Sequence, residues 1–370
     1  MPGPNGLAAK SFAAGESTRS ARRLALGSVV LPSRYCLAPL AGYTNLPFRL
    51  LVRRLGGLGL ATTDLINARA LLRGSQKTLE LIHTRPEDRP LAIQIYGGDA
   101  TEMAAAAQWL ADYGASVIDI NMGCPVNKVT RNGCGSAMMC QPDVTLSLVQ
   151  KVVEAVPIPV TVKMRLGWDA QQITAPFFAQ EFEQIGVAGI TIHGRTRSQG
   201  FHGSVNRDGI RQVVAAVTKI PILGNGDLRT CADVEQMLRE TGCAGVAIGR
   251  GALLNPWFFA QLVEWETTGT TQLAPTYADR LNFMEQHFHL LTEWRDERSA
   301  CLSFRKVANW YCKVLKPGRS VQQQMMMIDR IVQFDELLAA WRDRLRREGP
   351  PQDWQPHATI SVPAGPIEHW

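Results

Sequence analysis

The stretch VIDINMGCP, residues 117–125, alternates like a buried strand and then delivers an amide, Asn121, and a lone thiol, Cys124, to the place where it stops. Other short apolar runs end the same way, in polar or small groups: Pro39, Leu40 and Ala41; Gln94; Lys163 and Arg165; His193; Asn225, Gly226 and Asp227; Gly249 and Arg250. In GNGD at 224–227 and IGRG at 248–251, glycine lets backbone N–H groups approach an anion closely, and the Arg250 guanidinium adds a charge-assisted fork. A phosphorylated ligand suits those two turns. Lys163 supplies a cation for negative charge that develops on such a ligand. Taken singly, each residue has a plainer reading: Gln94 caps neighbouring backbone, Lys163 snorkels to solvent, His193 is a hydrogen-bonded core histidine, and Cys124 is a small buried hydrophobe. The collected set is harder to account for by packing alone.

Such residues need a scaffold that brings run ends together. Apolar runs fall at 35–39, 60–66, 91–96, 117–121, 160–164, 189–193, 221–225 and 245–249, and amphipathic segments fill the gaps at 46–55, 100–113, 144–156, 176–185, 207–217 and 232–239. Strands alternating with helices pair in parallel, because a parallel connection needs a crossover of a dozen or more residues. Eight such units predict a closed (β/α)8 TIM barrel, a fold of roughly 250 residues whose strand ends converge on one mouth. An open doubly wound sheet is the alternative, favoured by a G-x-G-x-x-G after an early strand, and none stands there. After about residue 274 the pattern is helical only, at 277–295, 300–314 and 321–347. Arg305, Lys306, Lys313, Lys316, Arg319, Arg342, Arg344, Arg346 and Arg347 make this part basic, with Trp310, Tyr311 and Trp341 interspersed. It reads as a small all-helical domain, although a solvated helix surface over an aromatic core is an equal reading of the composition. The expected division is a loose tail at 1–30, a barrel at 31–272, a helical domain at 273–347 and a proline-rich tail at 348–370.

Composition narrows the classes. With 370 residues, 45% hydrophobic and 19% charged, the chain can bury a large core and does not read as disordered. No run reaches the roughly 18 to 20 apolar residues of a membrane span, and the N-terminus lacks a secretory pattern, so a cytoplasmic protein with no membrane partner is expected. The eight cysteines contain no C-x-x-C pair, and Cys124, Cys134 and Cys140 are irregularly spaced without a histidine partner, so neither a disulfide framework nor a metal site is expected. A net charge of +6 permits a polyanionic partner without demanding one.

Seven blocks, in order, are similar to the signature of the tRNA-dihydrouridine synthases: APLAGYTNLPFR at 38–49, QIYG at 94–97, DINMGCPVNKV at 119–129, VKMRLGW at 162–168, ITIHGRTR at 190–197, ILGNGD at 222–227 and AIGRG at 247–251. The likeness runs over about 35–260 and continues more weakly into FRKVANWYCK at 304–313. NMGCP with its neighbours is its most specific part, whereas GNGD and GRG occur in other FMN barrels, and the blocks are nearest the bacterial subgroup. The resemblance implies an FMN enzyme that uses NADPH to reduce the C5=C6 bond of particular uridines in tRNA; separately, a monomer is expected. On that basis Pro39, Leu40 and Ala41 line the flavin, Gln94 and Lys163 contact its ring, His193 lies beside it, and Asn225, Gly226, Asp227, Gly249 and Arg250 hold its phosphate end. Asn121 and Arg165 face the substrate base, Arg195 and Arg197 extend the RNA-binding surface, and Cys124 donates a proton. Three departures bear on contacts rather than chemistry: Leu40 stands where methionine is common, Asp64 where glutamate is usual, and Val307 replaces a frequent histidine.

The chemistry asks for these types. Uracil is an α,β-unsaturated carbonyl, so hydride arriving at C6 leaves negative charge on C5 and O4, and C5 must then be protonated. A thiol with an ordinary pKa of about 8.5 stays protonated at neutral pH yet is acidic enough to donate. Two other readings compete: an FMN barrel acting on a free pyrimidine, in the manner of dihydroorotate dehydrogenases, and a non-enzymatic RNA-binding module built on the basic helices.

Overall fold

A computed structural model describes residues 21–354 of the chain. An antiparallel hairpin, β1 (Leu24–Leu26) and β2 (Val29–Leu31), comes first. There follow β3 (Tyr35–Leu37), β4 (Leu60–Thr62), β5 (Ile66–Asn67), β6 (Leu91–Tyr96), β7 (Val117–Met122), β8 (Val160–Arg165), β9 (Gly189–His193), β10 (Ile222–Asn225) and β11 (Gly245–Ile248). Every pairing among β3–β11 is parallel, in the order β4-β3-β11-β10-β9-β8-β7-β6-β5, with β4 also pairing β6. Since β4 and β5 both lie against β6, they occupy one position in the ring, and eight positions close a (β/α)8 barrel. The single run expected at 60–66 is therefore interrupted, and Asp64 sits in the break.

Local signals account for the helices that separate the strands. Ala100–Tyr113 begins where the Asp99 carboxylate accepts from the backbone N–H groups of Thr101 and Glu102, and it ends at Gly114, whose left-handed backbone has φ 101°. Buried on both faces, β6 and β7 have the near-continuous apolar character of strands in a parallel sheet. Inside the barrel, Leu24, Leu26, Leu31, Cys36, Leu60 and Val117 belong to one packed cluster. The hairpin thus closes the end of the barrel opposite the strand carboxyl ends. Residues 24–30, expected as part of a loose tail, are strand and turn instead: LAL and VVL are too short to register as periodic, but Leu26 fits against Gly189, where a Cβ would meet it at 2.6 Å.

Four helices then follow: Tyr277–Trp294, Glu297–Leu315, Arg319–Met327 and Ile331–Glu348. The one helix expected at 321–347 is two, because Arg305 donates to the carbonyls of Met327 and Ile328 and so caps the first, while the Gln333 side chain accepts from the N–H groups of Asp329 and Arg330 at the start of the second. In their midst Phe288 and Phe334 stack with centroids 4.0 Å apart, and Phe304 meets both edge-on. Phe283 against Phe48 and Trp310 against Tyr43 join the bundle to the barrel. Beyond the last helix, Trp354 packs on Tyr277 and Lys316 binds Asp353, while the remainder of both expected tails lies outside the described residues. Among the described residues no helix is long and apolar enough to cross a membrane.

Candidate active site

The carboxyl ends of the strands open into one cavity, and the sequence-selected residues converge on it. Pro39, Leu40, Ala41, Gln94, Asn121 and Cys124 line one part; Lys163, Arg165, His193, Asn225, Gly226 and Asp227 line another, closed by Gly249 and Arg250. Backbone turns set the positions of these groups. Gly226 has φ 116° and Asp227 has φ 53°, so the chain after β10 passes through left-handed conformations that favour glycine. A Cβ on Gly226 would lie 2.5 Å from Val205 Cγ2 and 2.9 Å from His193 Cδ2. The turn is a tight cradle with no room for a side chain.

Electrostatics at the mouth are those of cations removed from water. Burial first, then Arg165, pushes the Lys163 ammonium down to about 8, and burial also lowers Arg165, to about 10. His193 is held well below the usual histidine range by burial and by the surrounding Arg165, Lys163, Arg195 and Arg250, so its ring is neutral at pH 7. Burial pushes the Cys124 thiol up, against a smaller lowering by the Val126 backbone, Arg165 and Lys163, and the thiol is therefore protonated at neutral pH. Arg165 is 2% exposed and fixes loops: its Nε donates to Gly123 O at 2.9 Å and its Nη1 to the carbonyls of Thr196 and Gly200 at 2.8 and 2.7 Å.

The loop after β7 is fastened by a run of side chains. The Cys124 N–H donates to Asn121 Oδ1 at 3.0 Å, and the Cys124 carbonyl accepts from the Ser136 N–H at 3.1 Å and hydroxyl at 3.0 Å. Gly135, with φ 60°, lies so close that a Cβ would meet Cys124 O at 2.8 Å. The segment GCGSAM at 133–138 therefore supports the thiol-bearing turn. Across the mouth, the Gly42 N–H donates to both oxygens of Asp64 at 2.9 and 2.8 Å, and Arg49, joined at 2.7 Å to Asp88 with both side chains fully buried, donates to Thr44 O. Asp64 is not a lining residue; it anchors the loop that is.

Of the two groups expected at the surface, one is buried. Arg195 is 1% exposed and extends no surface: its guanidinium donates to the carbonyls of His202 and Gly203 and to Asp227 Oδ2 at 2.6 Å, behind the cavity wall. A carboxylate 32 positions away in sequence draws it inward. Arg197 lies outside the cavity, over the Trp168 ring at 4.6 Å, with Nη2 donating to Asn127 Oδ1. Conversely, Tyr43, Phe201 and Trp310 line the cavity without having been selected, and Trp310 comes from the helical region.

Thiol, amide, two cations and a glycine cradle share this barrel mouth, in the order carried by the seven sequence blocks. A family model described as Dihydrouridine synthase (Dus) matches residues 36–345. The chain belongs to the dihydrouridine synthase family. It is 38% identical over 320 residues to a probable tRNA-dihydrouridine synthase 1 of Synechocystis sp., covering 86% of this chain and 89% of the relative. It is 34% identical over 325 residues to a probable tRNA-dihydrouridine synthase of Rickettsia bellii, covering 87% and 99%. To tRNA-dihydrouridine synthase B of Xanthomonas campestris it is 36% identical over 288 residues, covering 78% and 86%. The family match spans the barrel and nearly all of the helical region.

Proposed function

We propose that the protein reduces the C5=C6 bond of specific uridines in tRNA, with FMN as bound cofactor, NADPH as electron donor and Cys124 as the acid. When bound and reduced, FMN supplies a hydride to an electron-poor carbon. The residues present fit it: the Gly226–Asp227 turn leaves a cradle that a Cβ would fill, and Arg250 lines the same end of the cavity to meet a phosphate. Pro39, Leu40 and Ala41 offer an apolar wall beside it, and Gln94, Lys163, His193, Asn225 and Gly249 complete the enclosure.

The observation that carries this reading is the shared cavity: Cys124 lines the same space as Lys163 and the glycine cradle, so acid, cation and cofactor site face one reaction space. With hydride added at C6, uracil C5 takes the Cys124 proton and the sulfur keeps the S–H bonding pair as thiolate. Lys163 and Arg165, whose charges lower the Cys124 pKa, stabilise that thiolate as it forms. A neutral His193 adds no competing charge. Asn121 and Arg165 orient the base. Extruding a uridine from folded tRNA costs a few kcal/mol, which phosphate and stacking contacts must offset. Trp310 at the mouth, with Lys313 Nζ 5.1 Å from its ring centroid, puts the basic helical region where such contacts are needed, in the cytoplasm where tRNA is found.

The test is reconstitution. Protein carrying flavin absorbance should oxidise NADPH when given tRNA that lacks dihydrouridine, and the product nucleoside should appear in the digested tRNA. A colourless protein that binds tRNA but never oxidises NADPH rules the reading out.

A further inference from the structure

Asp119 lies inside the barrel on β7, 6% exposed, two residues before Asn121 and so on the same inward face, and its register neighbours are Gln94 on β6 and Thr161 on β8. Five hydrogen bonds link it to its neighbours and on to the Cys124 turn. The Thr161 hydroxyl donates to Asp119 Oδ1 at 2.7 Å and Gln94 Nε2 donates to Oδ2 at 2.6 Å. Asn121 Nδ2 then donates to Gln94 Oε1 at 2.8 Å, and Asn121 Oδ1 accepts from the N–H groups of Cys124 at 3.0 Å and Gly123 at 3.3 Å.

The sense of this relay is fixed at both ends. A backbone N–H can only donate, so Asn121 must turn its oxygen to Cys124; an ionised carboxylate can only accept, so Gln94 must turn its nitrogen to Asp119. Between them the two amides have one arrangement that satisfies every partner. Reversing one amide sets donor against donor in a buried site, and each orphaned group there costs about 1–3 kcal/mol. We propose that Asp119 is the positioning residue that sets the hydrogen-bond polarity of the Gln94–Asn121 relay, and through it the orientation of the Asn121–Cys124 turn. This role rests on the reading of Cys124 as the acid. Asp119 touches neither substrate nor cofactor; it acts through the amides.

The charge state supports this geometry. Burial raises Asp119 to about 6, while the Gln94 and Thr161 donors and the Lys163 ammonium on β8, the one charged group acting on it, pull the other way. At pH 7 it is an acceptor. Protonated, as pH falls through about 6, it gains an O–H that competes with the Gln94 donor, and the relay loses its fixed sense.

Two variants test the polarity. Asp119→Asn keeps shape but can present an N–H to Gln94; it should slow single-turnover reduction of tRNA on the order of 10²-fold, as displacement of a reacting group does. It should also alter the rate at which iodoacetamide alkylates Cys124, followed by peptide mass spectrometry without turnover, while exposed Cys140 serves as the unchanged reference. Gln94→Glu combined with Asp119→Asn moves the acceptor-only group one place along the chain: the Asn at 119 donates to the Glu at 94, which still accepts from Asn121. Cys124 alkylation in that double variant should return toward the wild-type rate, and the acid limb of alkylation near pH 6 should be absent from Asp119→Asn. Wild-type alkylation and turnover in Asp119→Asn, or a double variant no closer to wild type than the single one, overturns the proposal. If neither variant folds, neutron density of the wild type decides, with Gln94 nitrogen toward Asp119 supporting it and Gln94 oxygen there refuting it. Because alkylation requires no turnover, a correct relay around a thiol that is not the acid remains distinguishable.

Discussion

The barrel mouth and the end of the last helix treat charge in opposite ways. Arg165 and Arg195 at the mouth are 2% and 1% exposed, and their guanidinium groups are engaged with loop carbonyls and with Asp227. In the helical region Arg346 pairs with Asp343 three residues away, with side chains 77% and 54% exposed. Desolvating a cation is costly, so each one kept dry here has fixed acceptors: loop carbonyls for Arg165 and the Asp227 carboxylate for Arg195. An exposed pair in water needs no such partner.

The contrast can be broken at several points, in decreasing order of effect. Asp88→Ala leaves the fully buried Arg49 cation, which also holds the Thr44 carbonyl of the mouth's first loop, without its carboxylate. Loss of about 3–5 kcal/mol in urea unfolding is expected, and a change below about 1 kcal/mol would mean that the pair is dispensable. Gly226→Ala forces a side chain into φ 116° and against Val205 and His193. Strain of about 1–3 kcal/mol follows, with a matching fall in bound flavin measured by absorbance. Lys163, pushed down to about 8, loses its charge as pH rises through that value, so tRNA reduction should decline on the alkaline side with a midpoint near 8. Lys163→Met should be slower throughout and lack that limb; a limb unchanged in the variant would assign it to another group. At the small end, Asp343→Ala removes the exposed partner of Arg346 and should shift stability by less than about 0.5 kcal/mol.

Sequence periodicity located the barrel because its signals are local. The runs expected at 91–96 and 189–193 are β6 and β9 with the same bounds, and the alternating helices required parallel pairing. Strand-end residues were legible for the same reason, since the fold itself brings carboxyl ends together. What escaped were arrangements fixed by distant partners. Arg195 could not be known to turn inward without Asp227, and the helix break at Ile328 depends on Arg305, 23 residues earlier. The hairpin was missed because three-residue strands carry no period. Asp119 was visible in DINMGCP as an inward position two residues before Asn121, but its register opposite Gln94 and Thr161 appears only in three dimensions.

One comparison tests the central claim most directly: single-turnover mixing of reduced wild type and Cys124→Ala with tRNA lacking dihydrouridine, following flavin absorbance and the product nucleoside. The account predicts equal cofactor content in both proteins and product formation slower in the variant by about 10²- to 10⁴-fold, the contribution of a positioned acid. Product formed at the wild-type rate by Cys124→Ala would contradict it.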